Sequence, residues 1–201
     1  MIYIVDDDEA VRDAMRMLFE SMGHSVSSHA DAEDLLAHYD PEVPSCLLLD
    51  LRMPGRSGLE LQEILLERGV APPIIFLTGH GDVPAAVRAL KHGAVDFIQK
   101  PVVDEQALLD RVNEAIEVHR EALQTAAVHT ETCRRFAELT PRETEVMEAI
   151  AAGRANKVIA IDLGISERTV EHHRGRVMHK LGVRSVAELV RLLEVAEERS
   201  S

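Results

Sequence analysis

Apolar and polar positions change their period along the chain. Over the first 120 residues short apolar runs alternate with amphipathic stretches, which predicts strands at Ile2–Val5, Ser25–Ser28, Cys46–Leu49, Ile74–Leu77 and Phe97–Gln99. Between them helices are expected over Glu9–Met22, Ala32–Tyr39, Gly58–Glu67 and Pro84–His92, with another from Glu105 onward. In the first helix, Val11, Met15, Leu18 and Met22 recur at spacings of three and four and stop at Gly23. Strands alternating with helices specify a parallel sheet, and the right-handed preference of the crossovers puts helices on both of its faces. The expected fold class is α/β, a doubly wound five-stranded parallel sheet, followed by an all-α domain of four helices.

No proline or glycine interrupts residues 107–136, where Leu108, Val112, Ile116, His119, Leu123, Ala126, Thr130, Cys133 and Phe136 keep a helical period. This stretch is either one continuous helix or one that frays over 119–135, where apolarity is low. Thr140-Pro141-Arg142-Glu143 then combines a capping box with proline at the first helical position. That helix closes at Gly153, a second runs over Asn156–Leu163, Gly164-Ile165 turns the chain, and Ser166 caps a third. Ser185 with Glu188 repeats the capping pattern for a fourth. These signals divide the chain into an α/β domain at 1–118, a helical linker at 119–136 and a helical domain at 137–201.

Composition narrows the function classes. With 46% apolar and 28% charged residues, the 201-residue chain fits neither a disordered nor a fibrous protein. Its apolar runs fall far short of the ~20 residues that cross a bilayer. The first residues carry neither a basic segment nor a long apolar one, so the expected location is the cytoplasm and no membrane partner is expected. Cys46 and Cys133 match no metal or disulfide spacing and read as reduced bystanders. The net charge of −13 argues against a nucleic-acid partner until the chain is cut after Arg120. Residues 1–120 hold 22 acidic against 10 basic side chains, whereas residues 121–201 hold 13 against 12. Within 166–184, Arg168, Arg174, Arg176, Lys180 and Arg184 outnumber Glu167 and Glu171.

A parallel sheet gathers the carboxyl ends of its strands at one edge, where ligands bind beside the reversal of strand order. Asp6-Asp7-Asp8, Asp50, Thr78 and Lys100-Pro101 all fall there. Carboxylates a few ångströms apart repel by ~1 kcal/mol per pair in water and by more when desolvated, so such a cluster implies a cation. Oxygen donors without His or Cys point to a hard divalent ion, Mg²⁺. Asp8 either joins the cluster or caps the following helix. Thr78 alone reads equally as a strand-end hydroxyl and Lys100 alone as a surface charge; it is their coincidence that points to chemistry.

Asp6-Asp7, Asp50 within Leu49-Asp50-Leu51-Arg52-Met53-Pro54-Gly55, Thr78 and Lys100-Pro101 resemble the receiver domain of two-component response regulators. The resemblance implies that Asp50 accepts a phosphoryl group from a partner histidine kinase. It also implies Mg²⁺ held by Asp7, by Asp6 through water, by Asp50 and by the Arg52 backbone carbonyl. Thr78 and Lys100 would reach the new phosphoryl oxygens, Phe97 would occupy the switch aromatic position or serve as plain core, and the Lys100-Pro101 bond would be cis. A haloacid-dehalogenase-type phosphohydrolase also uses an aspartyl nucleophile, but in an Asp-x-Asp pattern, and here Leu51-Arg52 follow Asp50. A regulator that works without phosphorylation is the other alternative.

Leu139-Thr140-Pro141-Arg142-Glu143, Asn156-Lys157 and Ile165-Ser166-Glu167-Arg168-Thr169-Val170-Glu171-His172-His173-Arg174 resemble the NarL/LuxR output family, particularly its FixJ-like members. The resemblance makes Ser166–Leu181 a recognition helix for double-stranded promoter DNA. Asn156, Lys157, Thr169, His173 and Lys180 would touch phosphates, and Glu171, His172, Arg174, Gly175 and Arg176 would face bases. Arginine suits guanine and Glu suits cytosine, whereas Gly175 offers no side chain. It further implies a homodimer on phosphorylation through a face holding Val87 and Lys91, and RNA polymerase as a partner. The expected function is a transcriptional regulator whose only chemistry is phosphoryl transfer to and hydrolysis from its own Asp50.

Overall fold

The computed structural model describes residues 1–79 and 83–197; positions 80–82, and 198–201 at the end of the expected helical domain, lie outside the described residues. The chain divides into two compact units, 1–123 and 124–201.

The first unit alternates β1 (Ile2–Val5), α1 (Glu9–Ser21), β2 (Val26–His29), α2 (Ala32–His38), β3 (Cys46–Asp50), α3 (Gly58–Glu67), β4 (Ile74–Thr78), α4 (Val83–Lys91) and β5 (Asp96–Gln99). Its strands are all parallel in the order β2-β1-β3-β4-β5, the doubly wound sheet expected from the alternation. Successive residues of a strand face opposite sides. Tyr3, Val5, Leu47, Leu49 and Phe76 therefore pack with Leu35, Leu61 and Leu65 of α2 and α3. Ile2, Ile4, Leu48, Ile75 and Leu77 pack with Phe19 of α1 and with Leu108, Val112 and Ile116 of α5 (Glu105–Ala137).

Several boundaries and one stripe differ from the sequence reading. β2 lies one residue later, at Val26–His29, because His29 pairs with Val5 and is buried against Tyr3. β5 begins at Asp96, which pairs with Ile75, and α4 spans Val83–Lys91 rather than Pro84–His92. α2 stops at His38, with Tyr39 as its extended C-cap. In α1 the fully buried side chain is Phe19, whereas Met22 is the exposed C-cap, so the apolar stripe is turned relative to the Val11-Met15-Leu18-Met22 reading. α5 is a continuous helix of 33 residues, which settles the choice against fraying. His119 is buried on it and takes the Ser45 N–H at Nδ1, 3.1 Å away.

The second unit adds α6 (Pro141–Ala151), α7 (Asn156–Leu163), α8 (Glu167–Leu181) and α9 (Val186–Glu197) to the last turns of α5. Thr140 closes the expected capping box with Glu143, and Ser166 caps α8 by accepting from Thr169 N. Gly164 takes the left-handed conformation, φ 66°, that the turn between α7 and α8 requires. At α9, Ser185 Oγ accepts from Glu188 N, but the reciprocal bond to Glu188 comes from Arg184 N instead of Ser185 N. The core is Val146, Met147, Ile150, Ile159, Val170, Val177, Leu181 and Leu189.

Candidate functional site

Strand order reverses between β1 and β3, and the carboxyl ends of these two strands deliver Asp6, Asp7 and Asp50 to the same edge. One carboxylate oxygen from each of the three lies within 4.8 Å of the others. β4 brings Thr78, buried at its last position, and the end of β5 brings Lys100. An open cleft lined by these residues, by Arg52 and by Gly79 lies at the edge. Lys100 Nζ donates to Asp6 Oδ2 and to Asp50 Oδ1, the latter at 2.9 Å. Burial opposes the Lys100 charge, but the bonds to Asp6 and Asp50 outweigh it and its pKa rises. Burial also pushes the Asp6 carboxyl up, against the Lys100 bond that favours its anion.

The shell around these groups holds them by backbone. Asp6 Oδ1 accepts from Asp8 N at 3.0 Å, and Asp50 Oδ2 from Arg52 N at 3.1 Å. Asp8 turns its own carboxylate to Ala10 N at 2.9 Å and caps α1, so its side chain takes the capping alternative and stands outside the three-carboxylate group. Sequence reasoning missed Arg12, whose guanidinium donates to the Asp6 carbonyl at 2.7 Å; an arginine within the first turn after the acidic triplet was the available signal. It also read Gly58 only as a helix start. A Cβ there would stand 2.3 Å from the Asp50 carbonyl oxygen, so the glycine lets α3 press against the end of β3.

Phe97 is half-buried, with its ring centroid 6.4 Å from that of Phe76, and the Lys100-Pro101 peptide is cis. Val87 is 46% exposed and Lys91 is exposed, so Val87 is no core residue; Val83 and Leu90 are exposed on the same helix.

In the second unit α7, the Gly164 turn and α8 form a helix-turn-helix. Val170, Val177 and Leu181 anchor α8 in the core, which leaves Glu171, His172, Gly175 and Arg176 exposed, with Lys157 exposed at the start of α7. Asn156, Thr169, His173, Arg174 and Lys180 are partly buried. Arg174 Nη1 lies 3.4 Å from Asn156 Oδ1, and the buried His173 Nδ1 has no hydrogen-bond partner among the described residues. Lys180 and Arg176 are held within the domain. Lys180 Nζ donates to Glu143 Oε2 at 2.6 Å and to the Glu138 carbonyl at 2.8 Å, and Arg176 Nε lies 3.0 Å from Glu143 Oε1. Glu143 is fully buried, and its bonds from Lys180 and from Thr140 N hold its carboxyl down at about 2. A capping glutamate that also anchors a helix 37 positions away left no local signal.

Comparison with known proteins agrees with both halves. The response regulator receiver domain family matches residues 2–113, and the bacterial regulatory proteins of the luxR family match residues 137–193. The chain is 43% identical to nodulation protein W of Bradyrhizobium diazoefficiens over 194 residues, covering 96% of this chain and 85% of that one. It is 45% identical to the C4-dicarboxylate transport transcriptional regulatory protein DctR of Rhodobacter capsulatus, covering 95% and 98%. Among solved structures, the response regulator StyR is 44% identical over 96% of this chain and 97% of that one, with a TM-score of 0.92. Full-length FixJ from B. japonicum is 42% identical over 97% and 96%, with a TM-score of 0.56. The chain thus belongs to the two-component response regulators that join a receiver domain to a LuxR-type DNA-binding domain and regulate transcription.

Proposed function

We propose that Asp50 is the phosphoacceptor of this regulator and that its modification controls DNA binding by the second unit. The observation that carries this reading is the meeting of Asp6, Asp7 and Asp50 within 4.8 Å, with the Lys100 ammonium 2.9 Å from Asp50 Oδ1. An Asp50 oxygen forms the new P–O bond as the P–N bond of a kinase phosphohistidine breaks, and the leaving imidazole keeps the electron pair. Lys100 moves its ammonium from the carboxylates to the incoming oxygens, and Thr78 offers its hydroxyl. The charges of Asp6, Asp7, Asp50 and Lys100 sum to −2, and an all-oxygen donor set completed by the Arg52 carbonyl suits Mg²⁺. When bound, that ion neutralises charge on the moving phosphoryl group.

In the second unit Lys157, Asn156, Thr169 and His173 face phosphates and Glu171, His172 and Arg174 face bases, with Gly175 in the same groove-facing row. Arg176 and Lys180 join them only by leaving Glu143. Phosphorylation pairs two receivers through the α4 face carrying Val87 and Lys91, and the dimer sets two helix-turn-helix units on two half-sites and presents them to RNA polymerase in the cytoplasm. Labelling with a small phosphoryl donor and Mg²⁺ tests the first step. The wild-type chain should take up one phosphoryl group and Asp50→Asn none; equal uptake by both rejects Asp50.

A further inference from the structure

Outside the acidic cleft, a second group of potential ligands lies where β2 meets α2. His29 ends β2, and Asp34 and His38 sit four residues apart on one face of α2. One ligand atom from each of the three lies within 4.8 Å of the others. His29 Nδ1 is 2.9 Å from Asp34 Oδ2, and His38 Nδ1 is 3.0 Å from Asp34 Oδ1 and 2.8 Å from the Asp34 carbonyl. The two imidazole rings are 5.8 Å apart and nearly parallel, with Tyr3 stacked beyond His29 at 6.1 Å.

We infer that His29, Asp34 and His38 form a binding site for a borderline divalent metal of the Zn²⁺ class. Zinc bonds of ~2.0–2.2 Å to nitrogen and oxygen put neighbouring tetrahedral ligands a little over 3 Å apart. The two N···O separations here are already close to that, so the metal replaces the hydrogen that His29 Nδ1 shares with the carboxylate and the one that His38 Nδ1 directs at the Asp34 carbonyl. Each ring then carries its hydrogen on Nε2. For His29 that atom lies 2.9 Å from Ser27 Oγ, a hydroxyl that can rotate to accept it. A ligating histidine whose other nitrogen is fixed by a neighbouring side chain is the usual arrangement at zinc sites. The first imidazole is buried and rigid, whereas Asp34 and His38 are 44% and 65% exposed, which leaves the fourth position open to water or to a group from a partner. Two nitrogen donors disfavour Mg²⁺, so the site does not compete for the ion suited to the cleft. The His29 carbonyl also accepts from Asp6 N at 3.2 Å, so a metal here would brace the strand that carries the cleft.

The test is a Zn²⁺ titration of the full chain against a chromophoric chelator, with millimolar Mg²⁺ present to fill the acidic cleft. His38→Ala should lose one zinc equivalent, and Ser27→Ala should weaken that equivalent about tenfold. Long-range ¹H–¹⁵N spectra of the imidazoles should show Nδ1 of His29 and His38 shifting together on zinc addition. Both replaced groups lie on exposed or half-buried positions, and circular dichroism checks that the variants keep their fold. Equal stoichiometry and affinity in wild type and His38→Ala, or zinc-dependent shifts confined to other histidines, would overturn the assignment.

Discussion

Replacing Glu143 by glutamine removes one negative charge from the centre of the helical unit and tests how α6 is tied to α8. The buried carboxylate takes Lys180 Nζ at 2.6 Å and Thr140 N at 2.9 Å, and faces Arg176 Nε at 3.0 Å. A hydrogen bond to a charged group contributes ~1.5–3 kcal/mol against ~0.5–1.5 for a neutral one, so the Lys180 contact loses about 1–2 kcal/mol. The Arg176 side chain is half exposed, and water discounts its share to about 0.5 kcal/mol. The expected loss is about 2 kcal/mol. The lowered pKa expresses the same contacts: a fall from 4.5 to about 2 is equivalent to about 3 kcal/mol, an upper value because it also counts the Thr140 bonds and Lys180 keeps some contact with water. Since the folded pKa lies below the unfolded one, this contribution is complete above about pH 4.5 and disappears as pH falls through about 2. By about pH 3 less than half of it should remain. Urea unfolding of the full chain, read by pulsed amide exchange in peptides from α6 and α8, measures the difference between wild type and Glu143→Gln at both pH values. Equal stability at pH 7, or a difference that does not shrink in acid, would show that Glu143 acts only as a helix cap.

Four further outcomes are expected. Gly58→Ala drives a methyl group against the Asp50 carbonyl, costs about 1–3 kcal/mol, and slows phosphoryl uptake at Asp50; denaturation and labelling rates measure the two effects, and an unchanged labelling rate would separate α3 packing from the site. Lys100→Met takes an ammonium away from Asp6 and Asp50, so Mg²⁺ should bind several-fold tighter by calorimetry while phosphoryl uptake falls. Val87→Asp, on the exposed side of α4, should leave the fold intact and keep the protein monomeric by sedimentation when a phosphoryl analogue is added. Lys157→Met should reduce the slope of log affinity for DNA against log salt by about 0.9, whereas Lys180→Met should lower the stability of the helical unit more than it changes that slope.

How far the sequence revealed these features depends on the range over which each signal acts. Strand-end carboxylates after continuous apolar runs place Asp6, Asp7 and Asp50 at one edge of any parallel sheet, so the cleft was legible from alternation alone. Capping chemistry is similarly local, and Thr140 and Ser166 act within three residues of their partners. What escaped depends on contacts between distant segments. Phe19 replaced Met22 in the stripe of α1 because the packing of β2 and α5 sets the rotation of that helix, which a period of 3.6 leaves free within about one residue. Glu143 satisfied its capping pattern so completely that its second role toward Lys180 had no trace in residues 140–143. His29 lies just past the end of the expected strand, and its ring stands between Tyr3 of β1 and His38 of α2, beside Asp34, through contacts with two other elements. The end of β2 is a local matter, whereas the meeting of His29 with Asp34 and His38 depends on how α2 packs beside that strand, which no pattern within residues 25–39 specifies.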